Sequence, residues 1–335
     1  MKELKTPLRW GIIAPGIIAG QFARGLEAVD GAVLYAVGSR DRGRAEHFAN
    51  THHTKGRPPV KAYGSYEEIA GDPDVDAVYI ASPHPFHMDQ ALLCLENKKP
   101  VLCEKPFTVN AKQAETVINA ARKHNCFCME AMWSRYVPAL VEVKKRIDKG
   151  ELGSIRMIRG DLSFSKDVPP SHRLVNPDLA GGALLDVGIY VLSVSSFFTG
   201  SLPVEVTGLA EMGATGVDIQ ESISCMWENG VVGSLTAGLN TRGPVTMEII
   251  GTKGVITLER MFFFTENYSF MNERGIKTFE KKHLVNGYEY EAMEVQRCLE
   301  KGLVESPAMP LDETLGLMKI MDKLRGDWGL KYPFE

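Results

Sequence analysis

Apolar residues in the first third of the chain come in short continuous runs, each closed by a turn and followed by a stretch of helical periodicity. Leu8-Arg-Trp-Gly-Ile-Ile-Ala14, Ala32-Val-Leu-Tyr-Ala-Val-Gly38, Val60-Lys-Ala-Tyr63, Ala77-Val-Tyr-Ile-Ala81 and Val101-Leu-Cys-Glu104 read as strands. Strands with so little polar alternation are those covered on both faces. Helices are predicted after Pro15-Gly16, over 65–70, near 86–96 and over 111–124, where Ala114, Val117, Ile118 and Ala121 share one face. Strand and helix alternating over short links specify a Rossmann-type, doubly wound parallel sheet.

After Glu130 the alternation lapses. A helix near 138–149, a strand over 154–164, a loop over 165–180 and an apolar helix over about 182–198 are followed by strands at 203–211, 220–228, 231–239, 245–250 and 254–259. Asn229-Gly230 is a hairpin signal, because this pair suits the primed turns that match strand twist. Met261-Phe-Phe-Phe264 reads as sheet core or as an exposed apolar face, and helices follow near 287–301 and 312–325. The expected fold class is α/β: a dinucleotide-binding domain over 1–128, then an α+β domain over 129–335 with an open, mainly antiparallel sheet. The last helices are free to pack back on the first domain.

A length of 335 residues agrees with two domains. Lys and Arg total 38 against 42 Asp and Glu, a net charge of −4, which excludes an obvious polyanion-binding surface and makes nucleic acid an unexpected partner. No signal-like segment opens the chain and no run reads as a membrane span, so a cytoplasmic protein without a membrane partner is expected. The six cysteines lie mostly in apolar segments, and Cys126-Phe-Cys128 lacks the second cluster that a metal site needs. Reduced core thiols and no metal are the expectation.

The candidate chemistry lies where the first strands end. Ala14-x-Gly16-x-x-Ala19 is a weakened dinucleotide fingerprint: Gly16 would let the backbone approach a diphosphate, and the amides of Ile17 and Ile18 would open a helix whose positive end faces it. The second strand runs into Ser39-Arg40-Asp41, with Arg44 one turn on. An acidic residue at that strand end binds ribose hydroxyls, whereas Ser and Arg suit a 2′-phosphate, so NADP is favoured and NAD remains possible. Asp41 is open to two readings, a helix N-cap or a group that disfavours phosphate. Ser82-Pro-His84-Pro-Phe-His87 closes the fourth strand; His84 reads as a ribose or nicotinamide contact or as a loop cap, and for His87 the structural role is the stronger reading. Glu104 and Lys105 close the fifth, where ligands of such sheets bind.

The Ala-x-Gly-x-x-Ala turn, Ser82-Pro83-His84-x-x-His87, Glu104-Lys105-Pro106 and Gly181-Gly-Ala-Leu-Leu-Asp186-Val-Gly-Ile-Tyr190 together resemble the Gfo/Idh/MocA oxidoreductases. The resemblance covers nearly the whole chain. It implies that Lys105 is the active-site lysine, before a proline that commonly follows a cis bond. Many relatives close the Gly-Gly motif with histidine, and Tyr190 stands there instead. That departure matches a branch active on dihydrodiols and D-xylose, in which the tyrosine is a general acid/base, and it weakens any analogy to inositol dehydrogenases.

The resulting expectation is hydride transfer between a nicotinamide and a sugar, vicinal diol or dicarbonyl. Tyr190 would exchange the hydroxyl proton, Lys105 would favour the phenolate and stabilise charge on the substrate oxygen, and Asp186 would accept from a second hydroxyl. Glu104 would orient Lys105. Trp133, Arg135, Phe164 and Arg173 are candidates for the pocket wall, with a loop ion pair an equal reading for Arg173. A homodimer or higher homo-oligomer through the C-terminal sheet is expected. Alternatives are a same-fold dehydrogenase for another polyol or amino sugar, and a catalytically silent NADP-binding regulator.

Overall fold

The computed structural model describes residues 7–54 and 58–335. Residues 1–6, on which the expectation of no signal segment rests, lie outside the described residues. The chain divides into two compact units, one built from residues 1–133 and 284–315, the other from 134–283 and 316–335.

In the first unit β1 (Leu8–Ile13), β2 (Ala32–Gly38), β3 (Lys61–Tyr63), β4 (Ala77–Ile80), β5 (Val101–Glu104) and β6 (Cys128–Ala131) alternate with α1 (Ile17–Leu26), α2 (Arg42–Thr51), α3 (Tyr66–Gly71), α4 (His87–Glu96) and α5 (Ala111–His124). The strands form one parallel sheet in the order β3-β2-β1-β4-β5-β6. The order reverses direction between β1 and β4, and in such sheets the crevice outside the strand ends at that point takes the ligand. β4, β5 and β6 are buried at every position, as their mostly apolar character requires, with Glu104 and Glu130 the two carboxyls carried inside. Local signals agree with the outcome: Ser65 and Glu68 form a capping box on α3, and Asn110 caps α5, which ends on left-handed Asn125.

The second unit begins with α6 (Pro138–Asp148) and β7 (Ile155–Ser163) and continues, after a π-helical turn at Leu184–Gly188, into α7 (Ile189–Thr199). Then come β8 (Glu205–Met212), β9 (Asp218–Met226), β10 (Val232–Gly238), β11 (Met247–Gly251), β12 (Gly254–Leu258), β13 (Asn267–Asn272) and β14 (Gly275–Glu280). Helix α8 (Tyr288–Glu300) belongs to the first unit, and α9 (Leu311–Asp327) runs from the first into the second. The eight-stranded sheet has the order β14-β13-β12-β11-β7-β10-β9-β8 and is antiparallel except where β10 pairs with β7. The hairpin at Asn229-Gly230 joins β9 to β10, with Gly230 at φ +78°. β13 and β14 escaped the sequence reading because their alternation carries little apolar weight: every position of β14 but Phe279 is exposed. The Phe262–Phe264 segment is a 3-10 turn rather than part of the sheet. The apolar stretch Pro177–Thr199 has the length and hydropathy of a membrane span, but 94% of its 18-residue apolar window is buried, in the core of this unit.

The sheet keeps one face on α7 and leaves the other open. Register places Ile276, Met271, Val255, Ile250, Met157, Val232 and Met226 side by side across seven strands on the open face. The adjacent row on that face is polar throughout and contains the Arg159–Glu248 pair, 3.8 Å apart. A band of this kind, with Ile276 at 66% and Met271 at 47% exposure, is larger than scattered surface apolar residues require.

Candidate active site

In the first unit the candidate groups gather at the carboxyl ends of β1, β2, β4 and β5. Ala14 leaves β1 in the left-handed region at φ +65°, so the position usually held by glycine is occupied by alanine in the same strained conformation. Gly16 is extended, and a methyl there would meet nothing within 4 Å. α1 has no side-chain cap and no acidic residue in its first turn, so the chain leaves the first amides and the positive helix end unneutralised. This is the chemistry a diphosphate needs, and Ile17 and Ile18 stand exposed beside it.

At the end of β2, Ser39 is buried and its Oγ accepts from the amide of Asp41. The Asp41 carboxylate accepts the Arg44 amide at 3.2 Å and caps α2. Arg40 lies over the ring of Phe86 at 5.3 Å, and Arg44 donates to the carbonyl of Pro15 at 3.5 Å. Arg44 is therefore held at the β1–α1 turn and Arg40 at the turn that follows β4. At the end of β4 the buried Ser82 hydroxyl has no partner among the described residues, an orphaned group of the kind a bound nucleotide satisfies. His84 is buried, with its ring 5.9 Å from that of His87. His87 is fully buried, with Nδ1 2.9 Å from the carbonyl of Pro106 and Nε2 2.8 Å from that of Ser82. It ties the β4 loop to the β5 loop, the structural role read from its position. Burial holds its pKa below the ordinary imidazole value, against the two carbonyls, which favour the protonated ring.

Glu104 ends β5 below the surface. Its Oε1 accepts from the Tyr79 hydroxyl and its Oε2 from the Lys105 amide at 3.1 Å. The Lys105-Pro106 bond is cis. Beyond it the Phe107 amide donates to Glu130 at 3.0 Å, and the Thr314 hydroxyl donates to the other oxygen of Glu130. The segment carrying Lys105 is thus anchored on both sides, and Glu104 serves its backbone. Glu291 of α8 is completely buried, and neither oxygen meets a donor among the described residues; burial first, then the charge of Glu104, pushes its pKa well above the usual carboxylate range. Tyr79 is likewise pushed up, chiefly by burial. The sequence reading missed Tyr79, Glu130 and Glu291. Only Glu291 left a signal: a carboxyl on the buried stripe of α8, beside Tyr288, Ala292 and Val295. Trp133 is nearly buried and stacks on Tyr288 at 4.4 Å, within the first unit.

In the second unit Asp186 lies on the π-helical turn, 5% exposed, and accepts a 2.8 Å hydrogen bond from Nη1 of Arg173. Of the two readings of Arg173, the structure contains the ion pair, and it is made with the candidate site carboxylate itself. Tyr190 opens α7 at 6% exposure, its ring tilted against Phe263 at 4.9 Å. The stretch expected as one α-helix starts as the wider turn, in which the Ile189 amide reaches back to the carbonyl of Leu184. Arg135 is 2% exposed; its Nε donates to the Ser193 hydroxyl at 3.0 Å and its Nη2 to the Ser193 carbonyl at 2.9 Å. Those bonds anchor it on α7. Phe164 is half-buried just past β7, its amide bonded to Gly238. All six cysteines are buried free thiols, and burial pushes Cys94 up to about 12.

The comparisons with known proteins agree with this geometry. Residues 8–132 match the model described as an oxidoreductase family with an NAD-binding Rossmann fold, and residues 140–257 match the GFO/IDH/MocA C-terminal domain. The mouse (Mus musculus) trans-1,2-dihydrobenzene-1,2-diol dehydrogenase is 37% identical over 337 residues, covering 97% of this chain and 98% of that protein. Among solved structures, levoglucosan dehydrogenase in complex with NADH and L-sorbose superposes with a TM-score of 0.87 at 20% identity, over 97% of each chain. KijD10, a 3-ketoreductase from Actinomadura kijaniata in complex with NADP and TDP-benzene, gives 0.83 at 24% identity over 96% of this chain and 97% of that one. Matched along both of its domains, the chain belongs to the Gfo/Idh/MocA oxidoreductase family and is a nicotinamide-dependent dehydrogenase acting on CH-OH groups.

Proposed function

We propose that the protein is an NADP-dependent dehydrogenase of vicinal diols or sugars, working in either direction between the carbinol and the carbonyl. The observation that carries the substrate class is the whole-length relationship to proteins named trans-1,2-dihydrobenzene-1,2-diol dehydrogenase, at 37% identity for the mouse protein. The residues that follow β2 support the cofactor. Asp41 is spent on capping α2, and Ser39, Arg40 and Arg44 offer a hydroxyl and two guanidiniums suited to a 2′-phosphate. His84 and Ser82 would contact the nucleotide at the end of β4, and Glu104 would act through Lys105.

A bound nicotinamide would supply or accept the hydride. Tyr190 exchanges the hydroxyl proton of the substrate, and the ammonium of Lys105 stabilises negative charge on the same oxygen. Asp186, oriented by Arg173, accepts from a neighbouring hydroxyl, which favours substrates with two adjacent oxygens. Trp133, Phe164 and Arg135 would then shape the surroundings more than contact the substrate.

The open face of the second sheet pairs with a second copy of the chain in this reading. Its apolar band runs across seven strands, and a two-fold axis through it would cover each band with its counterpart. A cytoplasmic enzyme is the matching expectation.

The test is direct. Purified protein is titrated with NADPH and NADH by fluorescence, and turnover is followed on trans-dihydrodiols, D-xylose, D-glucose, inositols and α-dicarbonyls. Tighter binding of NADPH with turnover of diols or xylose is expected. Equal or tighter binding of NADH would remove the role given to Ser39 and Arg40, and turnover confined to inositols would remove the diol assignment.

A further inference from the structure

The second unit buries two carboxyls that the chemistry above does not use, Asp218 and Glu221 of β9, at 0% and 2% exposure. Each rests on a glycine of the Gly181-Gly-Ala-Leu-Leu-Asp-Val-Gly188 run. A methyl at Gly182 would lie 2.2 Å from Oδ1 of Asp218, and a methyl at Gly188 would lie 2.2 Å from Oε1 of Glu221. Oδ2 of Asp218 accepts the amide of Leu184, the first residue of the π-helical turn, at 2.6 Å. Neither oxygen of Glu221 meets a donor among the described residues, and Oδ1 of Asp218 meets none either. From the chain's last segment the Tyr332 hydroxyl donates to the carbonyl of Gly181 at 2.7 Å.

We propose that Asp218 and Glu221 are positioning residues for the proton exchange assigned to Tyr190, acting through the wide turn that carries Asp186 and leads into Tyr190. The inference rests on that assignment and goes beyond it. Among the described residues no cation is bonded to either carboxyl, and the Arg325 charge reaches Asp218 only through space; such a pair is an expensive way to fill space, and an apolar pair of the same volume would cost less. Wide turns inside helices are also locally unfavourable and concentrate at functional sites. Here the two features are in direct contact: the carboxyls grip the turn at its first amide and at the α-carbon of its last residue.

The pair can satisfy itself with one proton. The two carboxyls lie within hydrogen-bonding reach, and burial raises the pKa of both, that of Glu221 the more. In the proposed arrangement Glu221 carries the proton and donates to Asp218, and Asp218 keeps its second oxygen for the Leu184 amide. Gly182 also has a backbone reason, at φ +127°, but at Gly188 the requirement comes from Glu221: only a hydrogen there lets β9 place an oxygen atom against the turn.

The experiment separates this role from simple support. Glu221→Met keeps the volume and removes both the polar cost and the proton. Its unfolding temperature should equal or exceed that of the unmodified chain and NADPH affinity should stay within about twofold, while kcat falls about 10- to 100-fold with KM little changed. Glu221→Gln, whose amide can still donate to Asp218, should restore kcat to within about threefold. A folded Glu221→Met protein with undiminished kcat overturns the proposal, as does failure of Glu221→Gln to restore it. The isosteric Asp218→Asn keeps an oxygen for the Leu184 amide and gives an answer even if Glu221→Met does not fold. It should retain kcat to within about fivefold with the same pH profile, and a displaced profile would mean that charge, not position, is what the pair supplies. Tyr190→Phe is measured in parallel: if that variant keeps its turnover, the assignment of Tyr190 fails, and if only the β9 variants are silent, the positioning role alone fails.

Discussion

Nη1 of Arg173 stands 2.8 Å from Oδ1 of Asp186, one partner half exposed at 50% and the other nearly buried at 7%. A nearly buried carboxylate depends on such a partner, because removal of the cation takes a charge-assisted hydrogen bond from a desolvated group. With solvent screening on the arginine side, Arg173→Met should lower unfolding free energy by about 1–2 kcal/mol in urea titrations. It should also raise KM for diols more than it lowers kcat, since Asp186 would lose its orientation. Equal stability with unaltered KM would show that the pair is incidental.

Tyr190→Phe and Lys105→Met should each reduce kcat by about two to four orders of magnitude, the usual contribution of a proton-transfer group or of a charge facing an oxyanion. NADPH affinity of Tyr190→Phe should remain within about threefold, because nothing in the nucleotide contacts proposed at β1, β2 and β4 involves that ring. Steady-state kinetics together with fluorescence titration decide it, and near-normal turnover of either variant would remove that residue from the mechanism.

Arg40→Ala should weaken NADPH about 10- to 100-fold and leave NADH nearly unchanged, the loss expected for one charge-assisted contact to a 2′-phosphate. Arg44→Ala should act in the same direction. A parallel loss of NADH affinity would mean that the arginine holds the diphosphate or the local fold rather than the 2′-phosphate.

Glu291 offers a stability test with a definite sign. Its folded-state pKa lies above the unfolded value, so the native state binds more protons than the unfolded state as pH rises past the ordinary carboxylate range. Stability is then lost with rising pH until the folded pKa is passed. Glu291→Gln should flatten that slope, so the urea midpoint of the variant should gain on that of the unmodified chain between pH 5 and pH 8, roughly the span above a free carboxylate pKa. A constant difference across that span would show that Glu291 is not the titrating group.

Met157→Lys, within the apolar band, should abolish the proposed pairing of open faces and give a monomer in light-scattering measurements while leaving the circular dichroism unchanged. An unmodified chain that runs as a monomer at micromolar concentration would refute the pairing of open faces.

The sequence alone carried the alternating first half and the strand-rich second half, because each depends on local signals. Apolar runs mark β1, β4 and β5, helical spacing marks α5, and Asn229-Gly230 marks the hairpin. The candidate residues at strand ends were legible for the same reason, since where an apolar run stops is visible in the chain itself. Only the tertiary structure could decide what those residues rest on. Glu291 lies 187 positions beyond Glu104 in numbering (291 − 104), yet the two carboxyls share one buried environment. Asp218 and Glu221 reach Gly182 and Gly188 because β9 passes under a turn that no helical periodicity predicts. Partnership between distant polar groups leaves no period in the chain; it follows from close packing, which determines which carboxyl loses its water and which backbone amide it must then satisfy.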